Sequence, residues 1–113
     1  ILDDEVIDAL AAQAVCGPAN NPLAARSGAE RLAARGILYA PDFVANAGGV
    51  IYLDVEARTP GHRDEIATRI DGIGDTLRRL FDDAAARGVT PLDAAEAYAA
   101  GRLAAGRREP AAV

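Results

Sequence analysis

Apolar residues along this chain fall into two patterns. Ala14-Val15-Cys16 and Ile37-Leu38-Tyr39-Ala40 are short unbroken apolar runs bounded by turn residues, which predicts two buried strands. Elsewhere the apolar positions recur at helical spacing. Val6, Ile7 and Leu10 form one stripe, behind Asp3-Asp4 as a cap. Ser27-Gly28-Ala29-Glu30 has the spacing of a capping box, so a second helix is expected from Ser27 to Arg35, closed by Gly36. The order strand, helix, strand predicts parallel strands joined by a right-handed crossover.

The second half reads as helices. Val44 to Ala57 is expected to be helical despite Gly48-Gly49, each glycine costing on the order of 1 kcal/mol relative to alanine. Close approach of the backbone to a neighbour or ligand is the usual reason for such a pair. Thr59-Pro60-Gly61 is a break. Arg63 to Arg87 is the longest expected helix, with Ile66, Ile70, Ile73, Leu77, Leu80 and Ala84 on one seam and Gly88 at its end. Thr90-Pro91-Leu92-Asp93 starts a last helix, with proline at its first position, expected to run to about Ala105. The expected fold class is therefore α/β: a partial Rossmann-like parallel sheet over residues 1–57, helices over 58–105, and a disordered tail over 106–113.

Both strands end in asparagine-bearing turns, Gly17-Pro18-Ala19-Asn20-Asn21 and Asn46-Ala47-Gly48-Gly49. With parallel strands these turns emerge at one edge, where open α/β sheets bind ligands. Asparagine also forms turns for its own sake, because it tolerates left-handed geometry. Asn46 is less easily explained that way. It precedes a glycine pair at a helix start, and its amide offers both a donor and an acceptor.

Composition narrows the chemistry. Of 113 residues, 27 are alanine and five aromatic, so large side chains for a core are few. All twelve basic residues are arginine, and lysine-dependent catalysis cannot be completed by these residues alone. The net charge of −5, with both signs interspersed, argues against nucleic acid or an anionic membrane surface as partner. No apolar run approaches the roughly 20 residues of a spanning helix, and no secretory leader is visible. One cysteine excludes an internal disulfide, which points to a cytoplasmic protein. The chain starts at Ile1 and has no methionine, so it is expected to be a segment of something longer.

Three other features have plain structural readings. Gly72-Ile73-Gly74 lies inside a helical seam and Leu77 occupies the third glycine position, so it is no phosphate loop. His62 has no second metal ligand at useful spacing and reads as a solvated turn residue. Cys16, in a strand pattern, is expected in the core rather than as a nucleophile.

The two turn blocks carry a family resemblance. Gly17-Pro18-Ala19-Asn20-Asn21, followed by Arg35 to Ile51 with Tyr39-Ala40-Pro41-Asp42 and Asn46-Ala47-Gly48-Gly49, resembles the leucine/phenylalanine/valine dehydrogenases of the glutamate dehydrogenase superfamily. The likeness runs from Ile1 to about Ala105. It implies NAD-dependent oxidative deamination of an L-amino acid to its 2-oxo acid and ammonia. Hydride passes from the α-carbon to nicotinamide, and water then attacks the imine. The chain resembles the last part of the cofactor domain and the C-terminal helices.

The resemblance also implies roles. Ala19 and Asn20 would line the nicotinamide-ribose side of NAD. Asn46 would hold the substrate's amino group or the nicotinamide carboxamide. Val50 and Leu53, one helical turn apart, would line the side-chain pocket, and their aliphatic character suggests a branched aliphatic substrate rather than glutamate. The family's glycine fingerprint, acidic ribose ligand, catalytic lysines and aspartate have no counterpart here. Pro18, Tyr52 and Asp54-Val55 depart from the family pattern, and Tyr52 bears on pocket shape.

The leading expectation is a C-terminal fragment of a dehydrogenase for branched-chain or aromatic amino acids, inactive alone. A truncated sheet leaves an open edge and an uncovered helix face, which predicts a homo-oligomer. The rival expectation is a non-catalytic α/β interaction or oligomerisation module that uses the Ile66 to Leu80 seam. A single-domain nucleotide binder is disfavoured by the missing fingerprint.

Overall fold

In the computed structural model, which describes residues 1–108, two β-strands and six α-helices alternate in chain order before the chain becomes wholly helical. Strand β1 (Ala14–Val15) and strand β2 (Leu38–Tyr39) pair in parallel, with Ala14 opposite Leu38 and Val15 opposite Tyr39. An isolated parallel bridge between Leu2 and Leu23 adds a third contact of strand type. Both strands are shorter than their apolar runs. Cys16 lies past the last ladder pair, so it is exposed in the turn rather than buried as its pattern suggests.

Helix α1 (Asp4–Ala9) starts as expected, its Asp3 carboxylate accepting from the Val6 N–H at 2.9 Å. Helix α2 (Ser27–Ala34) starts differently. Arg26 already has helical geometry, and no side chain caps the end. The turn begins before Ser27, with Gly28 N–H donating to the Ala25 carbonyl and Ala29 N–H to that of Arg26. Ser27 is therefore not at the cap position, and the expected capping box does not form. The C-terminal end follows expectation: Gly36 takes φ +70°, while Gly36 N–H and Ile37 N–H bond the carbonyls of Ala33 and Leu32. That reversal feeds the chain straight into β2.

The expected helix over Val44 to Ala57 is two helices. The one-turn α3 (Asp42–Ala45) ends where the Asn46 N–H bonds the Asp42 carbonyl at 2.8 Å, and α4 (Gly48–Arg58) then starts anew. Helix α5 (Arg63–Arg87) has the bounds its seam predicts, ending at Gly88 with φ +65°. Helix α6 (Pro91–Arg108) runs on past Ala105, so 106–108 are helical rather than tail. The rest of the expected tail, 109–113, lies outside the described residues. Thr90 and Asp93 form the reciprocal cap of α6: Asp93 N–H donates to Thr90 Oγ1 at 3.1 Å, and Thr90 N–H to Asp93 Oδ2 at 3.0 Å.

The core has two parts. Ile7, Ala29, Leu32, Ile37, Tyr39 and Leu92 bury together between α1, α2, β2 and the first turn of α6. Leu80, Ala84, Ala94 and Ala95 bury between α5 and α6. Gly28 sits where a Cβ would come within 3.1 Å of Ile7 and 3.3 Å of Leu23, so its missing side chain lets α2 close on α1. Of the α5 seam, Ile66, Leu80 and Ala84 are buried, Ile73 and Leu77 are half-buried, and Ile70 is exposed.

Candidate functional site

Parallel pairing of β1 and β2 delivers the two asparagine turns to one edge, and there they touch. Asn46 Nδ2 donates to Asn20 Oδ1 at 2.6 Å and to the Pro18 carbonyl at 3.4 Å. Both hydrogens of the Asn46 amide are thus engaged. Among the described residues, Asn46 Oδ1 and Asn20 Nδ2 have no protein partner, so the pair retains one acceptor and one donor for a ligand.

The first turn is fixed by the second. Asn21 has φ +48°, the one left-handed non-glycine backbone among the described residues. Its N–H donates to Asp42 Oδ2 at 2.9 Å. Tyr39 is buried below; burial and the neighbouring Asp42 charge raise its phenol above the ordinary tyrosine range. Leu2 clasps the other side of the turn, donating to the Pro22 carbonyl at 2.6 Å and accepting from Ala24 N–H at 3.0 Å. A cavity of about 250 Å³ opens at this edge, lined in part by Val15, Cys16, Gly17, Ala19, Ala40 and Asp42.

Behind the turn, Arg26 reaches α6 and pairs with Asp93 and with Glu96, the latter at 2.6 Å. Arg26 and the Thr90 hydrogen bonds hold the Asp93 carboxyl down at about 2. Arg35 ties α2 to α1 by donating to the carbonyls of Ile7 and Leu10. Asp54 receives Arg58 at 2.8 Å and Arg69 at 2.7 Å, which hold its carboxyl at about 2 and pin α4 to α5. Arg26 and Glu96 line a second cavity with Asn21, Tyr39 and Asp42, whereas Arg35 and the Asp54 pairs hold the supporting helices.

The structure therefore brings Ala19, Asn20 and Asn46 together. Val50 and Leu53 stand on α4 with their side chains open, 71 % and 67 % exposed. Within this chain they form a face rather than a pocket. Asp42 was not singled out as a site residue from the sequence, although its position offers a signal. It lies three residues past the end of β2 and four before Asn46, one helical turn, so it can reach one turn while anchoring the other. Among the described residues no cluster of three or more His, Cys, Asp or Glu side chains could hold a metal, and no helix is long and apolar enough to cross a membrane.

Comparison with known proteins gives a consistent result. The family profile described as Glutamate/Leucine/Phenylalanine/Valine dehydrogenase matches residues 2–109. Valine dehydrogenase of Streptomyces coelicolor is 41 % identical over 109 residues, covering 96 % of this chain and 30 % of the relative. Phenylalanine dehydrogenase of Caldalkalibacillus thermarum is 37 % identical, over 91 % of this chain and 28 % of the relative. The crystal structure of L-tryptophan dehydrogenase from Nostoc punctiforme superposes with a TM-score of 0.86 at 36 % identity, over 96 % of this chain and 33 % of that one. The chain thus spans about a third of the length of these relatives.

Proposed function

Since this chain belongs to the glutamate/leucine/phenylalanine/valine dehydrogenase family, we propose that it contributes the nicotinamide-facing edge and one wall of the side-chain pocket to an NAD-dependent amino-acid dehydrogenase. The reaction is oxidative deamination of a hydrophobic L-amino acid, branched-chain or aromatic, to its 2-oxo acid and ammonia. The observation that carries this reading is the Asn20–Asn46 contact at the strand edge. A nicotinamide carboxamide has one NH₂ and one carbonyl, the complement of the free Asn46 Oδ1 and Asn20 Nδ2. Gly17 has open space where a Cβ would stand, which leaves room beside that turn.

When bound, NAD supplies the acceptor for the hydride that leaves the substrate's α-carbon. Asn46 orients a donor group, either the carboxamide NH₂ or the substrate's ammonium, through its free Oδ1. Asn20 and Pro18 hold the Asn46 amide so that it does not rotate away. Val50 and Leu53 offer methyl groups and no charge to the substrate side chain, which suits valine-like or aromatic substrates over glutamate. Proton transfer needs groups from elsewhere in a complete enzyme, because this chain contains no lysine and the Asp42 carboxylate already holds the Asn21 N–H. The reading extends to a cytoplasmic homo-oligomer.

The test has two arms. The full-length protein should reduce NAD with L-valine, L-leucine, L-phenylalanine or L-tryptophan and not with L-glutamate. The isolated 113 residues should produce no NADH from any of them. Glutamate as the best substrate, or steady turnover by the isolated chain, would overturn the proposal. A protein that never turns over, yet keeps its association state when Asn46 is replaced, would favour a non-catalytic interaction module.

A further inference from the structure

Asp42 makes two bonds in two directions. Its carboxylate takes the backbone N–H of Asn21 at 2.9 Å, across 21 residues of sequence. Its own carbonyl takes the backbone N–H of Asn46 at 2.8 Å, closing the single turn of α3. Asn21 adjoins Asn20, and Asn20 meets Asn46 through their side chains at 2.6 Å. One residue thus fixes the backbones on both sides of the amide pair. The Asn21 bond also answers a local cost. Asparagine bears φ +48° more easily than most side chains but still at some cost, and a carboxylate acceptor is the stronger kind of partner for holding it there.

We infer that Asp42 is a positioning residue: by accepting the Asn21 N–H it sets the separation of the two turns, and through them the orientation of the Asn20–Asn46 amide pair that meets the ligand. It acts as a hydrogen-bond acceptor and takes no part in proton transfer. Asp42→Asn keeps an acceptor oxygen at the same reach and should preserve the geometry. Asp42→Ala removes it, so Asn21 loses its partner, the turn relaxes, and Asn46 loses the Asn20 contact. Because Asp42 works through that contact, deleting it should add little once Asn20 has gone.

This inference rests on the dehydrogenase reading for its ligand, but its test does not depend on that reading alone. In the full-length protein, side-chain amide signals of Asn46 are followed by NMR, and NADH affinity by fluorescence. Asp42→Ala and Asn20→Ala should each return the Asn46 amide to the signature of a free side chain, whereas Asp42→Asn leaves it in place. NADH affinity should fall about 10-fold in either alanine variant, as expected for loss of one oriented contact, by a similar amount in the double variant, and less than threefold in Asp42→Asn. Where Asp42→Ala does not fold, Asp42→Glu serves, since its longer stem displaces the carboxylate. An Asn46 signal unchanged by these substitutions overturns the inference, as do additive losses in the double variant. A wild-type protein with the expected amide signature but no affinity for NADH would instead overturn the dehydrogenase reading.

Discussion

Asn46 couples the two turns at the strand edge. It stands at the end of a one-turn helix, with its amide hydrogens engaged and its oxygen free. Replacing it with alanine removes the acceptor and frees Asn20. In the full-length protein kcat/KM should fall roughly 10- to 100-fold, the worth of one hydrogen bond to a charged or tightly held group. Steady-state kinetics with NAD and a hydrophobic amino acid measures this, and an unchanged kcat/KM would remove Asn46 from the site. Asn20 and Asn46 were legible as a pair because parallel strands bring their following turns to one edge. Asp42 was less so, because a helix-start aspartate ordinarily serves its own helix, and only the fold shows its carboxylate turned to Asn21. Cys16 misled for a related reason: an apolar run marks burial, but the ladder stops at Val15 and leaves the thiol outside.

Among the elements, those with steric signals were the most readable. Gly36 and Gly88 both close helices at positive φ, as their positions past the last seam residue predict. At Gly88 a Cβ would meet nothing within 4 Å, so Gly88→Ala isolates the backbone cost. It should destabilise the protein by about 1–2 kcal/mol, the penalty of the left-handed conformation for an L-residue, measured by denaturant unfolding. Helix starts were read less evenly: Ser27-to-Glu30 and Thr90-to-Asp93 have the same spacing, and only the second forms a reciprocal cap. The difference lies in the preceding chain: helical geometry at Arg26 moves the first turn upstream. At the second cap, the lowered Asp93 carboxyl fixes an acid limit. Its ordinary value is 3.8 and its folded value about 2, so its stabilising contribution is complete above about pH 4 and lost as pH falls through about 2. An NMR titration should therefore find Asp93 still ionised at pH 3, with the α6 start intact. An ordinary carboxylate midpoint would show that Arg26 does not hold it.

At the scale of the molecule, the chain is long for its mass. Its extents are 49 × 29 × 22 Å and its radius of gyration is 16.0 Å, against about 13 Å for a compact domain of this length. Helix α5 accounts for much of this, since 25 residues span roughly 37 Å. Its middle stays partly open at Ile70, Ile73 and Leu77, and α4 presents Val50, Tyr52 and Leu53. An apolar surface of this kind calls for cover. The isolated chain should therefore self-associate at high concentration, by light scattering, and Leu53→Glu should reduce the association; a clean monomer throughout would show that these faces are tolerated in water. An uncovered helix face was expected from the truncated sheet, but the division of the core was not, because contact between α6 and the sheet region depends on tertiary placement. One turn of α6 carries Leu92 into the first cluster and Ala94 and Ala95 into the second. Loss of that turn would take buried side chains from both clusters at once. Two small cores that share a turn should therefore unfold together, in one cooperative transition.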